Sequence, residues 1–431
     1  MIVQPDLITH YVISGILNEP KEYQLKKHKT ILSISATISL LVVFLSTCID
    51  KKNQSNEVRG VAYIGSAKCV NCHKNIYDTY VSTAHYLSSR PASKDVIKGS
   101  FAPDSNAFYY RPALKVVMEK RDSGFYQVAY IEDIEKQARR FDIVFGSGRK
   151  GQSYAYWLGD YIFQLPVSYY APEKSWVNSP NYPPHNVKFD RNIPIGCFEC
   201  HSSYIKKTFV EVAEDRLIDH FDSNQIVYGI DCERCHGPAA KHAYFHEKNP
   251  QEKKPQYISL YASLSKEQKL DRCAMCHSGP VRTYKSTFNF VPGDKLSNYV
   301  YPDTSSVNSS DIDVHGKQYQ LLTKSQCFIK STVLNCSSCH NTHVKERENL
   351  GLFSQRCMNC HNTANHNFCR MAPSLGDNIV SNCIDCHMPA KPSRLITLMS
   401  QGQQKPIPAF VRTHFISIYP EETKKFIATR K

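Results

Sequence analysis

The motif Cys-x-x-Cys-His occurs seven times in this 431-residue chain and constrains it more than any other feature. At the chain's own Cys and His frequencies, roughly 0.03 copies would arise by chance, so the repetition reflects chemistry. The copies are Cys69/Cys72/His73, Cys197/Cys200/His201, Cys232/Cys235/His236, Cys273/Cys276/His277, Cys336/Cys339/His340, Cys357/Cys360/His361 and Cys383/Cys386/His387.

The spacing within each copy suits covalent haem attachment. Cysteines three residues apart lie on one side of a helical turn, so both thiols can add to the vinyl groups along one porphyrin edge. The next residue then presents its imidazole to the iron. Paired Cys-x-x-Cys units also build zinc sites, but these do not require a histidine after every second cysteine. We therefore expect seven haem c groups with these histidines as proximal ligands, rather than structural zinc or disulfides.

The N-terminal region indicates export, which haem attachment requires because it takes place outside the cytoplasm. A lysine-rich stretch precedes the apolar run Ile31–Leu45, which suits a signal-peptide core and is short for a membrane span. The run ends in "FLSTCID", which is similar to a lipoprotein processing box with Cys48 as the acylated residue. Ordinary cleavage and an uncleaved anchor stay open, because Thr47 replaces the usual small residue. We expect a periplasmic or outer-membrane-associated protein, lipid-anchored at Cys48.

The net charge of +14 does not indicate a nucleic-acid partner. Lysines and arginines are scattered, and no basic run is interleaved with aromatic residues. Seven haems would carry fourteen propionates, which roughly offset this charge. Solvation and propionate pairing therefore account for the basic residues.

Alternating β-branched and aromatic runs such as "ALKVVMEK" and "FYQVAYI" predict a small antiparallel β-meander between the first two motifs.

The chain divides by composition into six segments. The segments are a signal peptide at 1–47, with translation starting at Met1 or near Leu25, a flexible tether at 48–60, a first haem module at 61–106, a β-rich insertion at 107–195, a six-haem module at 196–417 and a tail at 418–431.

The region with six motifs offers little chain for an apolar core of its own. Its 194 residues give roughly one motif per 32 residues, so porphyrins should supply much of the buried surface. Ser265 and Gln268 match a capping box that leads into the fourth motif. The expected fold is mainly α and irregular, packed around haems, with a small antiparallel β insertion.

A haem iron has two axial positions, and the motif fills one of them. His343 follows His340 by three residues, so it cannot reach the opposite face of its own porphyrin, and we expect it to bind a neighbouring haem. Nine histidines could complete seven bis-histidine sites with two to spare, and counting does not identify the two. The nine are His85, His185, His220, His242, His246, His315, His343, His366 and His414.

Four stretches resemble multihaem cytochromes c of the cytochrome c-554 type: "YIGSAKCVNCHKNIYDTYVSTAH", "GIDCERCHGPAAKH", "HGKQYQLLTKSQCF" before "CSSCHNTH", and "CIDCHMPAKPSRLI" followed by "RTHFI". The resemblance covers most of residues 61–417. It implies that the distal ligands include His85, His242, His315, His343 and His414.

The remaining candidates are less determined. His366 is a weaker distal candidate, because the nearby Cys369 departs from the family pattern. His185, His220 and His246 are not separated by the sequence. Cys327 and Cys369 are compatible with a disulfide, two unpaired thiols or a sulfur ligand.

Two classes of function fit these residues. The first is electron transfer along mostly bis-histidine haems, from a quinol-linked or periplasmic donor to a reductase or extracellular acceptor. Histidine on both sides of the iron favours low potentials and hence an anaerobic respiratory pathway. The second is an oxidoreductase with one five-coordinate haem that acts on nitrite, hydroxylamine or a sulfur oxyanion. Transfer is favoured, because the lysine-containing motif of catalytic nitrite reductases is not found here. Assembly into an oligomer is open.

Overall fold

Helices and strands contribute almost equally to this chain. The computed structural model describes residues 57–213, 216–302, 308–403 and 405–428, which belong to one compact unit, Glu57–Lys431. Helix accounts for 29% and strand for 27%. The expectation of a mainly α and irregular fold is therefore wrong, because extended segments also occur among the haem motifs.

The strands are all paired in antiparallel fashion. They are β1 (Ser89–Pro91), β2 (Ala107–Arg111), β3 (Leu114–Arg121), β4 (Gly124–Ile131), β5 (Ile134–Arg140), β6 (Ile143–Phe145), β7 (Gly151–Leu158), β8 (Tyr161–Gln164), β9 (Val167–Tyr170), β10 (Ser175–Asn178), β11 (Ser202–Ala213), β12 (Arg216–Tyr228), β13 (Ala390–Leu398) and β14 (Ile407–Arg412).

The helices are short, apart from the two that carry the first and fourth motifs. They are α1 (Ser66–Tyr80), α2 (Ile195–His201), α3 (Cys232–His236), α4 (Ala240–Lys248), α5 (Lys266–His277), α6 (Gln318–Thr323), α7 (Gln326–Lys330), α8 (Leu350–Met358), α9 (Ala372–Leu375), α10 (Ile384–His387) and α11 (Pro420–Ala428). Within the described ranges, no helix combines the length and apolarity needed to cross a membrane.

Two sheets lie between the first and second motifs. One has four strands in the order β2-β3-β4-β5, and the other has six, in the order β1-β6-β7-β9-β10 with β8 beside β7. The predicted meander corresponds to strands of the first sheet. In β3 the buried residues alternate along the strand, as expected for a sheet with one face on a core: Leu114, Val116 and Met118 point inward.

The insertion has an aromatic core of its own. Trp176, Tyr154 and Phe141 pack in one buried cluster with residues of both sheets. The Trp176 indole donates a hydrogen bond to the Ser100 carbonyl over 2.7 Å. A Cβ at Gly99 would lie 2.0 Å from the Trp176 ring, so only glycine fits at this position.

Two further hairpins lie outside the insertion and account for the additional strand content. The β11–β12 hairpin follows the second motif directly, and the β13–β14 hairpin follows the seventh. β14 ends two residues before His414. These strands were not predicted, because their runs mix charged residues and prolines with the β-branched ones.

The sheets anchor the second motif through its variable residues. Phe198, the first residue between the two cysteines, is fully buried against Phe145 and Phe221, with ring centroids 5.4 Å away in each case. An apolar cluster thus joins the insertion, α2 and the β11–β12 hairpin. The second motif is positioned by the strand region that precedes it in the chain.

The predicted start of α5 is confirmed. The Ser265 hydroxyl accepts a hydrogen bond from the Gln268 amide, and the Gln268 side chain accepts one from the Ser265 amide. This capping box begins the helix that ends at His277.

Candidate functional site

The motif residues adopt helical turns, as the chemistry of attachment requires. In the fifth, sixth and seventh motifs the histidine amide donates to the carbonyl of the first cysteine, over 3.0, 2.9 and 3.1 Å for His340, His361 and His387. This turn places both thiols and the imidazole on neighbouring positions of one surface. The first four motifs lie in α1, α2, α3 and α5.

Four motif histidines face a histidine from elsewhere in the chain. Three pairs have nearly parallel rings, and the fourth is perpendicular. The ring centroids are 6.4 Å apart for His73–His242, 5.9 Å for His236–His343, 6.2 Å for His340–His414 and 6.1 Å for His277–His85. His343 thus faces the third motif, not the fifth to which it is adjacent in sequence.

These separations match the space that an iron atom needs between two axial imidazoles. An imidazole nitrogen binds such a metal at about 2 Å, and the ring centroid lies about 1 Å further out, so two trans ligands have centroids about 6 Å apart. Ordinary ring packing covers a wider range, about 4.5 to 7 Å. Four pairs with the same spacing, each joining a motif to a distant segment, fit haem ligation.

In three of these pairs, His277–His85, His236–His343 and His340–His414, burial favours the form of the imidazole that can bind a metal. Burial is the largest cause that lowers the pKa of His85, His236 and His414, each to about 4, with smaller contributions from neighbouring positive charges. Burial also lowers the pKa of His277, His340 and His343. Neutral imidazole has a free lone pair, which is the species that ligates iron.

Hydrogen bonds of the Nδ1 atom fix the orientation of several histidine rings. The Nδ1 atom of His242 lies 2.7 Å from the Gln256 carbonyl, and that of His387 lies 2.8 Å from the Ser417 carbonyl. Because a carbonyl only accepts, Nδ1 carries the proton and Nε2 is left free to bind iron. Nδ1 of His277 contacts the Gln318 side-chain oxygen over 3.3 Å.

For the second, sixth and seventh motifs, no second histidine ring is seen to face the motif histidine among the described residues. After burial, the charge of His315 is the largest cause that lowers the pKa of His201, which places His315 beside the second motif. His361 and His387 have no histidine ring contact among the residues the structure describes. His366 is exposed, has a φ of 53° and is not brought to a motif histidine within the described ranges.

The structure separates the three histidines that the sequence did not. His185 is exposed on a loop. His246 lies against His242, with centroids 4.7 Å apart, and its Nε2 accepts a hydrogen bond from the Gln256 amide. His220 contacts carboxylates with both ring nitrogens, Asp160 at 2.8 Å and Glu211 at 3.3 Å. Both nitrogens of His220 are thus engaged at the β11–β12 hairpin.

The His220 cluster predicts a pH dependence. Burial alone lowers the pKa of His220, but hydrogen bonds to Asp160 and Glu211 raise it overall. The folded state therefore binds this proton more tightly than the unfolded chain, whose pKa is about 6.5. Its contribution to stability is complete below that pH and is lost as the pH rises through the higher folded pKa. We expect the wild-type Tm, followed by circular dichroism from about pH 6 to 9, to fall over this window more than that of H220Q. Identical slopes would contradict the assignment.

Thiols of different motifs lie close together and show how the motifs are arranged. A hydrogen bond with Cys69 lowers the pKa of Cys232 to about 7, which joins the first and third motifs. Similar contacts join Cys200 to Cys276 and Cys273 to Cys336. The second, fourth and fifth motifs are therefore also neighbours.

The same kind of evidence connects the remaining motifs. Burial raises the pKa of Cys235 to about 11, with a contribution from the nearby Cys273, so the third motif adjoins the fourth. Burial raises the pKa of Cys357 to about 12, with contributions from Cys383 and Cys339. The sixth motif therefore lies between the fifth and the seventh, and each motif adjoins at least one other.

The cysteines outside the motifs are unpaired in the described part of the chain. No disulfide joins any of the sixteen described cysteines, so the alternative of a Cys327–Cys369 bridge is not realised. Cys327 lies near Cys360, and Cys369 lies near Cys383. Cys48 lies outside the described residues.

A buried charge network inside the third motif was not predicted. Glu233, between the two cysteines of that motif, is 3% exposed and accepts hydrogen bonds from the amides of Ile64, Gly65 and Ala239. The Arg59 guanidinium lies 3.0 Å from Glu233. The segment that leads into the first motif is thereby fixed to the third.

Arg234, the next residue, joins two other motif regions. Its guanidinium donates to the carbonyls of Glu199, in the second motif, and of Thr287. The Glu199 side chain in turn accepts from the Thr287 amide over 3.0 Å. In the sequence, this network is indicated only by charged residues between the cysteines of a motif. Hydrophobic periodicity does not predict it.

The chain shares its fold with a cytochrome of known structure. It is similar to the crystal structure of the outer cell wall cytochrome OcwA, with a TM-score of 0.51 and 17% sequence identity over 84% of this chain and 81% of that one. No family model matches the sequence. The search of curated proteins also gave no match.

No group of three or more His, Cys, Asp or Glu side chains in the described ranges is arranged to hold a metal ion. A haem iron takes its other four ligands from the porphyrin, so each site needs only the two protein side chains described above.

Proposed function

We propose that this chain is a heptahaem c-type cytochrome that transfers electrons along neighbouring haems. Each motif would attach one haem c through its two cysteines, with the motif histidine as proximal ligand. His242, His343, His414 and His85 would be the distal ligands of the first, third, fifth and fourth motifs. His315 would serve the second. When bound, the haems supply one-electron redox chemistry.

The observation that carries the proposal is that every motif adjoins another, so that the seven motifs form one connected group. Thiols of the first and third, second and fourth, and fourth and fifth motifs lie within hydrogen-bonding reach. The histidine pairs cross-link the same modules, since each pair joins a motif to a histidine from another part of the chain. This arrangement would hold neighbouring porphyrins close together, as electron transfer requires. The fold shared with a cytochrome supports the proposal.

Catalysis is the second candidate, and one observation keeps it in consideration. His361 and His387 face no histidine ring among the described residues. A haem without a second protein ligand could bind nitrite, hydroxylamine or a sulfur oxyanion. The sixth and seventh motifs are where such binding would occur.

The cellular setting is part of the proposal. Covalent haem attachment, the apolar run Ile31–Leu45 and the box around Cys48 support export and a lipid anchor. The partners would then be redox proteins: a quinol-linked or periplasmic donor, and a reductase or outer-surface acceptor.

Haem attachment is tested by intact-mass spectrometry and haem quantitation on the protein expressed with a cytochrome c maturation system. We expect seven haem masses, one for each motif. The variant C339S should reduce attachment in the fifth motif, whereas C327S, which lies outside the motifs, should retain all seven haems. Retention of zinc with no haem would refute the proposal.

Transfer and catalysis are separated by low-temperature EPR of the oxidised protein, with and without nitrite or hydroxylamine. Low-spin signals that neither compound alters would support transfer. A high-spin signal that shifts on addition would support catalysis instead.

A further inference from the structure

Arg272 has two buried nitrogen atoms with no protein partner. It lies in α5, directly before Cys273 of the fourth motif. Its Nε and Nη1 atoms are shielded from solvent, and neither forms a hydrogen bond with a described residue. The adjacent Asp271 carboxylate accepts instead from the Leu296 amide over 3.0 Å. Removal of a guanidinium from water costs free energy unless an acceptor replaces the water, so an anion is needed here.

Contacts on its other side fix the position of Arg272. Its Cζ atom lies 4.9 Å from the centroid of the Tyr261 ring. The Tyr261 hydroxyl forms hydrogen bonds with the Asn335 side-chain oxygen over 2.8 Å and with the Ser337 hydroxyl over 2.7 Å. Ser337 lies between the cysteines of the fifth motif. The guanidinium is therefore held between the fourth and fifth motifs.

We propose that Arg272 binds a propionate carboxylate of a haem attached where the fourth and fifth motifs meet, and that it raises the reduction potential of this haem. The inference rests on the proposed function. A carboxylate fits because it accepts two parallel hydrogen bonds from a guanidinium. A fixed positive charge favours the reduced haem, because reduction lowers the charge at the iron. This haem would then hold electrons more strongly than its neighbours.

The test is an EPR-monitored redox titration of the haem-loaded protein and its R272Q variant. We expect the oxidised-to-reduced ratio of one low-spin haem to rise at least tenfold at a given potential, which corresponds to a midpoint about 59 mV lower for a one-electron couple. R272K, which keeps the charge without the planar fork, should give a smaller shift. The matched control is R282Q, because Arg282 is exposed and its Cζ atom lies over the Tyr301 ring, 5.6 Å from the centroid.

Three outcomes would overturn the inference. Midpoints of R272Q that coincide with those of R282Q would show that Arg272 does not influence this haem. A wild-type midpoint that follows the concentration of chloride or phosphate at constant ionic strength would assign the anion to solution, not to a propionate. Equal shifts at all haems would exclude a local contact. Wild-type protein without haem would refute the proposed function itself, whereas seven haems with unshifted potentials would refute only this inference.

Discussion

Replacement of His414 by alanine is expected to convert one of the seven haems from low spin to high spin. The His414 ring faces His340 of the fifth motif, with centroids 6.2 Å apart. Its backbone is held independently of the ring. The Ser325 hydroxyl donates a hydrogen bond to the His414 carbonyl over 3.0 Å and accepts one from the Ile416 amide over 2.8 Å. Loss of the side chain therefore removes a ligand without release of the segment. EPR and visible spectra should show one haem equivalent change.

Added imidazole provides a sharp check on this result. It should bind at the space left by the side chain and restore the low-spin spectrum of H414A. The control is H185A, which removes an exposed histidine that lies at no motif and should leave the spectrum unchanged. If H414A retains the full wild-type low-spin signal, His414 is not an iron ligand.

Replacement of Arg59 by methionine is expected to lower the free energy of unfolding more than any other substitution proposed here. Its side chain is 4% exposed and lies 3.0 Å from Glu57, 2.7 Å from Asp231 and 3.0 Å from Glu233. Burial alone lowers the pKa of Arg59, but the carboxylates of Glu57 and Asp231 raise it overall, so the group is charged. R59M leaves three buried carboxylates without a cation, and removal of one partner from such a network costs about 3–5 kcal/mol.

The measurement is urea-induced unfolding of the haem-loaded protein, followed by circular dichroism. The matched control is K424M, which breaks the Lys424–Glu421 pair, whose side chains are 72% and 74% exposed. An exposed pair contributes about 0–1 kcal/mol, so this control should unfold close to the wild-type midpoint. Equal midpoints for R59M and K424M would show that the network does not stabilise the first and third motifs.

The strand content shows where sequence reasoning succeeded and where it failed. The strands β3 and β4 were predictable, because both are rich in β-branched and aromatic residues and a turn at Asp122–Gly124 separates them. The hairpins β11–β12 and β13–β14 were not. Their pairing depends on contacts with distant elements, such as Phe221 against Phe198, that no local pattern records.

The buried charges illustrate the same limit at the site. Glu233 and Arg234 occupy the variable positions of the third motif, where attachment chemistry sets no requirement. Their partners Arg59 and Thr287 are separated from them by 174 and 53 residues. Only the folded chain brings these groups together, so their role could not be predicted.

The sequence by itself determined the chemistry. Seven motifs predict the attachment cysteines and one histidine ligand each, because thioether formation and iron ligation depend on spacing within five residues. Tertiary structure alone decided how these units are combined. It set which distant histidine faces which motif, turned both ring nitrogens of His220 to carboxylates and brought the motifs into one connected group. Ligation across an iron joins residues far apart in the chain, and such contacts follow from packing of the whole fold rather than from local spacing.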